Sequence, residues 1–178
     1  MKQRLIAGVF LILTIFIFCN RILAQGGGAK DTEIRTQAPL KGQLGSDFYY
    51  NQEINPFYPK LAPYYRMQDG YVTGNCTWYA WGRACERTGG KLPHVFTGNA
   101  GTWWQQNIEE GWYDYGASPR PGAIVCYKTH VAVVEQAEPL IVSESGWTVS
   151  SEKGDLVFHC GKPWRSKERP LGYIYVSH

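Results

Sequence analysis

"GNCTWYAWGRACERTGG", residues 74–90, decides the fold. From Cys76 to Arg87 the stretch lacks proline, and Trp78, Trp81 and Cys85 recur at spacings of three and four. That rhythm describes a helix buried on one side, stopped by Gly89 and Gly90, with Gly82 a weak point in its middle. "NAGTWWQQNIEEG" (99–111) reads as a second, short helix ending at Gly111. After "SPRPG" (118–122) the pattern turns to strands: "AIVCY" (123–127), "HVAVV" (130–134), "LIVSES" (140–145), "LVFHC" (156–160) and "LGYIYV" (171–176). Helices first and strands after predict an α+β domain, N-terminal helices packed on an antiparallel sheet, rather than alternating βαβ units.

Upstream of this domain, taken as residues 70–178, the chain changes character twice. Residues 47–70 carry five tyrosines, two phenylalanines and three prolines with no clean period, a composition suited to burying rings along the domain edge. Stacking on carbohydrate is the alternative. Residues 25–46 are rich in Gly, Gln and Lys and read as a spacer. Before them, "MKQR" is positive and Leu5 to Phe18 is an unbroken apolar run, shorter than the roughly 18 to 20 residues of a comfortable spanning helix. Residues 1–24 therefore read as a signal peptide cut after Ala24, with an uncleaved membrane anchor as the alternative. Either reading places the domain outside the cytoplasm, secreted or in the cell envelope, and allows membrane contact only through this segment.

Without that segment the charge vanishes. Of eighteen Lys and Arg, removing Lys2, Arg4 and Arg21 leaves fifteen, equal to the fifteen Asp and Glu. A neutral domain without a run of basic residues gives no support to nucleic-acid binding.

Cys76, Cys85, Cys126 and Cys160 remain. The C-x2-C and H-x3-H spacings of zinc sites are missing, so no metal is expected. No C-x-x-C occurs, which argues against a thiol–disulfide oxidoreductase. Cys76 and Cys85 on one helix stand about 13 Å apart at ~1.5 Å per residue, beyond the ~7 Å limit of a disulfide. Cys76 falls at the first helical turn, where the partial positive charge favours a thiolate and free N–H groups can hold an oxyanion.

A thiolate nucleophile needs a base, and the base an orienter. His130 opens one strand and "LIVSES" follows as its hairpin partner. Pairing Val134 with Leu140 sets Ala132 against Val142 and His130 against Glu144, all on one sheet face. Glu144 is then placed to hold the far imidazole nitrogen, whereas Glu135 has the wrong parity. Taken singly, a lone Cys is usually an inert small hydrophobe and a lone His a structural residue. Together they approach a Cys-His-acid triad.

"GNCTWYAWGR", "GNAGTWW", "PRPGAIVCY", "HVAVVE" and "VSESGW" occur in that order. They resemble the successive motifs of the CHAP family, the cysteine- and histidine-dependent amidohydrolases/peptidases, over about residues 70–178. The resemblance implies a papain-like α+β fold that cleaves amide bonds in peptidoglycan, as an N-acetylmuramoyl-L-alanine amidase or a peptide endopeptidase, without a cofactor. Carried over by motif, Cys76 is the nucleophile, His130 the general base and Glu144 the orienting acid. Asn75 stands where the family often has Gln, Thr129 where Gly is usual, and Gly146 where many relatives carry Asn. Trp103, Trp104 and Trp147 are candidates to line a substrate groove, although core packing is the favoured reading for each taken singly. With Cys76 free, at most one disulfide forms among the other three, Cys126 with Cys160 before any other pair, and three buried thiols are an equal alternative. The non-catalytic alternative is a wall-binding or envelope-assembly module on the same fold, and an envelope machinery partner is compatible with either.

Overall fold

A computed structural model of the chain describes residues 33–58, 66–68, 71–92, 96–147 and 156–177. The N-terminal segment read as a signal peptide or anchor lies outside them. Among the described residues no helix is long and apolar enough to cross a membrane. The elements in order are α1 (Asp47–Tyr50), β1 (Arg66–Gln68), β2 (Tyr71–Thr73), α2 (Cys76–Thr88), α3 (Ala100–Glu110), β3 (Tyr115–Gly116), β4 (Ile124–Cys126), β5 (Val131–Gln136), β6 (Ile141–Trp147), β7 (Leu156–Gly161) and β8 (Gly172–Ile174). The protein is α+β. β1 and β2 pair with each other, and β3–β8 form one sheet in the order β3-β8-β4-β5-β6-β7, antiparallel throughout.

Helix α2 is set by its ends. The Asn75 side chain accepts the Thr77 N–H at 2.9 Å, and Gly89 closes the helix in the left-handed region at φ 65. Between those caps every residue from Thr77 to Thr88 is buried. Its apolar face, with Trp78 and Trp81, joins Tyr49, Phe57, Phe96 and Trp103 in an aromatic core against Ile124, Cys126, Val131 and Val133 of the sheet. Gly82 proves to be a packing requirement: an added Cβ would lie 2.4 Å from the Tyr49 ring and 3.0 Å from the Phe48 carbonyl. The helix loses propensity there so that α1 can lie flush on it. Arg35 and Ala38, within the stretch read as a spacer, also pack on this body.

The opposite face of the sheet carries a second cluster, in which Ala123, Val125, Ala132, Val134 and Val142 are covered by Tyr127, Tyr173 and Tyr175. Alternation along β5 thus feeds two cores at once.

One expectation is corrected and one open alternative is decided. The β5–β6 hairpin pairs Val134 with Val142, not with Leu140, and a bulge lies between Val134 and Gln136, which pairs with Ile141. The slip of two keeps every side chain on its expected face, because the period of a strand is two. The cysteines are free. Cys126 on β4 and Cys160 on β7 are separated by β5 and β6, three strand spacings or about 14 Å, so no bridge spans them.

Candidate active site

Three elements converge on one point: the start of α2, the start of β5 and the far half of β6. The junction before α2 is fastened to β6 through Ser145, whose hydroxyl donates to the Gly74 carbonyl at 2.6 Å and accepts the Gly74 N–H at 3.1 Å. Asn75, with its carbonyl oxygen on the Thr77 N–H and hydroxyl, then turns the chain into the helix. Cys76 follows, partly exposed, whereas Cys85 is buried on the packed face. The first N–H groups of a helix have no partner within it. Gly146 stands beside the one that belongs to Cys76: a Cβ there would lie 3.4 Å from Cys76 N and 3.7 Å from Cys76 Cβ. At φ 140 the position also favours glycine. The absence of a side chain keeps the space in front of the Cys76 N–H open.

His130 immediately precedes β5 and is buried. Its Nε2 meets Glu144 Oε2 at 2.7 Å, and Cys76 is close enough to act on its proton affinity. Because of the shifted register, Glu144 lies along the strand from His130 rather than directly opposite, within the diagonal reach of a long side chain. Burial alone would depress the imidazole's proton affinity. The hydrogen bonds and charges of Cys76 and Glu144 outweigh it and hold the His130 pKa up at about 9. Glu144 has no exposed surface, and its second oxygen, Oε1, accepts the backbone N–H of Trp164 at 2.8 Å. Helix α3 braces the same corner, since Gly101 approaches the Lys128 carbonyl so closely that a Cβ would come within 2.5 Å.

Cys76, His130 and Glu144 are therefore brought together, and Trp103 and Trp104 are not. Trp103 has no exposure and stacks on Phe96 at 4.7 Å, so it is a core residue rather than part of a groove. Trp104 is half-buried, edge-on to Tyr115 and seated over Gly172, on the β3–β8 side of the sheet instead of over β5 and β6. Adjacent helical residues diverge by about 100°, so one of the two had to leave the core. Trp147 closes β6, and its side chain lies outside the described set. No group of three His, Cys, Asp or Glu among the described residues is arranged to hold a metal ion.

Glu135, excluded from the site by parity, has a different employment. It occupies the β5 bulge on the helix side, where its carboxylate takes Arg83 Nε and Nη2 at 2.8 Å each and the Ser143 hydroxyl at 2.6 Å. Arg83 also reaches Glu86 at 2.9 Å, and Glu86 in turn holds Arg35 and the Tyr49 hydroxyl. This buried network ties α2, and with it Cys76, to the strands that carry His130 and Glu144.

The fold and the site together define an α+β protein with a helix-start cysteine joined through a histidine to a buried glutamate. Residues 66–146 match the family model described as CHAP domain, which points to an activity of the peptidoglycan hydrolase or amidase type. The match takes in Cys76, His130 and Glu144 and ends one residue short of the end of β6. No curated protein and no solved structure matches the chain.

Proposed function

We propose that the protein is an exported, thiol-dependent peptidoglycan hydrolase that cleaves an amide bond of the wall peptide through an acyl-enzyme. One observation carries this reading: His130 Nε2 meets the buried Glu144 carboxylate at 2.7 Å, and Cys76 at the α2 start is close enough to act on the same imidazole. A thiolate at Cys76, paired with the His130 imidazolium, attacks the amide carbonyl carbon. The backbone N–H groups at the α2 start receive the oxyanion. As the C–N bond breaks, His130 gives its proton to the leaving amine, and the acyl group stays on sulfur as a thioester. His130 then takes a proton from water, which attacks the thioester, releasing the acid and restoring the thiolate. Glu144 keeps the ring oriented and charged when it must be. The apolar run at Leu5–Phe18 supports export, and peptidoglycan is the substrate to which the family points.

Digestion of purified peptidoglycan, followed by identification of the new amine and acid ends, tests this reading. Free L-alanine amines with matching muramic lactyl acids indicate an amidase; ends within the stem or cross-bridge indicate an endopeptidase. No new ends, from folded protein with a reactive Cys76, would overturn the hydrolase and leave a wall-binding module.

The raised His130 pKa sets a pH expectation. The imidazolium is required to protonate the leaving amine, so kcat/KM should fall as pH rises through about 9. Folding lifts this pKa above its ordinary 6.5, so its stabilising contribution is complete below about 6.5 and is lost through about 9. A rate profile flat from about pH 8 to 10 would remove His130 as the acid.

A further inference from the structure

A fully buried carboxylate needs a donor at each oxygen. For Glu144, His130 supplies one and the backbone of Trp164 the other. Trp164 lies beyond the stretch that matches the family model and is twenty residues from Glu144 along the chain. Its indole lies 5.9 Å from the His130 ring and stacks on His159 at 5.4 Å, the planes 21° apart.

The return path that puts it there is built from strong local contacts. His159 stands opposite Glu144 in the β6–β7 register. Its Nε2–H donates to the Lys162 carbonyl at 2.9 Å, which turns the chain back just after β7. Pro163 is buried, and its carbonyl accepts the Ser166 N–H at 2.9 Å, closing a turn around Trp164. His159 therefore serves as the shelf on which the indole rests, while the peptide N–H of Trp164 itself points at Glu144.

We infer that Trp164 is a positioning residue for the His130–Glu144 pair: its N–H fixes the carboxylate, and its ring shelters the imidazole–carboxylate hydrogen bond from water. The inference rests on the reading of that pair as the acid–base machinery. Excluding water strengthens a charged hydrogen bond and removes the competitor that would let the ring turn. The carboxylate contact comes from the main chain and survives substitution. The shelter comes from the indole and does not.

Proton exchange tests this in the full chain. With 15N-labelled histidine, the His130 Nε2–H, assigned through His130→Gln, gives a sheltered, slowly exchanging signal. Trp164→Ala should exchange it at least about tenfold faster, the equivalent of one lost charge-assisted hydrogen bond. Trp164→Phe, which retains an aromatic cover, should stay near wild type. In wall digestion Trp164→Ala should lower kcat/KM by about 10- to 100-fold, chiefly in kcat, with Phe restoring most of it. Should the alanine variant not fold, Trp164→Leu carries the same expected direction. Unchanged exchange in a folded Ala or Leu variant, or a Phe variant no better than Ala, overturns the inference. If exchange accelerates while even the wild type cuts no wall, the hydrolase reading fails and the positioning of the pair stands.

Discussion

Replacing Cys76 with alanine should leave a folded protein and lower wall cleavage by about 10,000-fold or more, the scale on which removal of a nucleophile acts in covalent catalysis. The thiol is partly exposed at a helix start, so the substitution leaves the core untouched. The His130–Glu144 contact remains, yet it has nothing to activate. Equal clearing of purified wall by both proteins would remove the catalytic role of Cys76. Alkylation supplies an independent reading without the substrate. Cys76 should react first, because it is partly exposed at a helix start and next to the His130 imidazole. Burial pushes the Cys85 thiol up to about 12 and raises that of Cys126 as well, so both should stay unreacted until the chain unfolds. Cys160 is the control that matters: it is partly exposed like Cys76, but desolvation raises its pKa and no imidazole assists it. Modification of Cys160 or Cys85 ahead of Cys76 would contradict the assignment.

The parts of this site that were legible in the sequence share a property: they depend on side-chain identity at a fixed period. A helix beginning at Cys76 follows from where the aromatic rhythm starts, and the pairing of His130 with Glu144 follows from strand parity alone. Parity survived a wrong register because the error was an even number of residues. The error arose at the turn, where Gln136 pairs with Ile141, and the bulge at Glu135, which looks like any polar position at a strand end, is what brings the shift back to an even number. The Glu135 partner Arg83 lies on a helix face that periodicity assigns to the core, where a cation is not expected without a buried acid to meet it. Trp164 was beyond reach for another reason. What it gives Glu144 is a main-chain N–H, which every residue except proline possesses, so residue type carries no signal of that contact. Whether Cys126 meets Cys160 stayed open in the sequence because strand ends alone do not give the sheet order that separates them. Trp103 could have been assigned to the core from its place one helical turn from Ala100 and Asn107, both buried.

Arg83→Met should destabilise the protein by about 3–5 kcal/mol, the cost of leaving a buried charge without its partner. Arg83 has no exposed surface, and its pKa is raised although burial opposes the charge, because the bonds and charge of Glu135 prevail. Methionine fills comparable space but leaves the Glu135 carboxylate with the Ser143 hydroxyl and the Arg87 guanidinium, 3.8 Å away, as neighbours. Glu86 keeps Arg35 and the Tyr49 hydroxyl. The excess cost is thus concentrated at Glu135, and the double variant Arg83→Met, Glu135→Gln should be more stable than the single one. Urea unfolding reads both. A single variant within about 1 kcal/mol of wild type, or a double variant whose loss equals the sum of the two singles, would show that the pair is not coupled. Alkylation of Cys76 connects this to function. Seven residues of helix separate Cys76 from Arg83, and Arg83 is what fastens that helix to the β5 bulge. Loosening it lets the α2 start drift from His130, which precedes β5 on the same strand that Glu135 anchors. In the folded fraction of Arg83→Met, Cys76 should therefore lose reactivity toward alkylation, and the double variant should recover it only as far as it recovers stability.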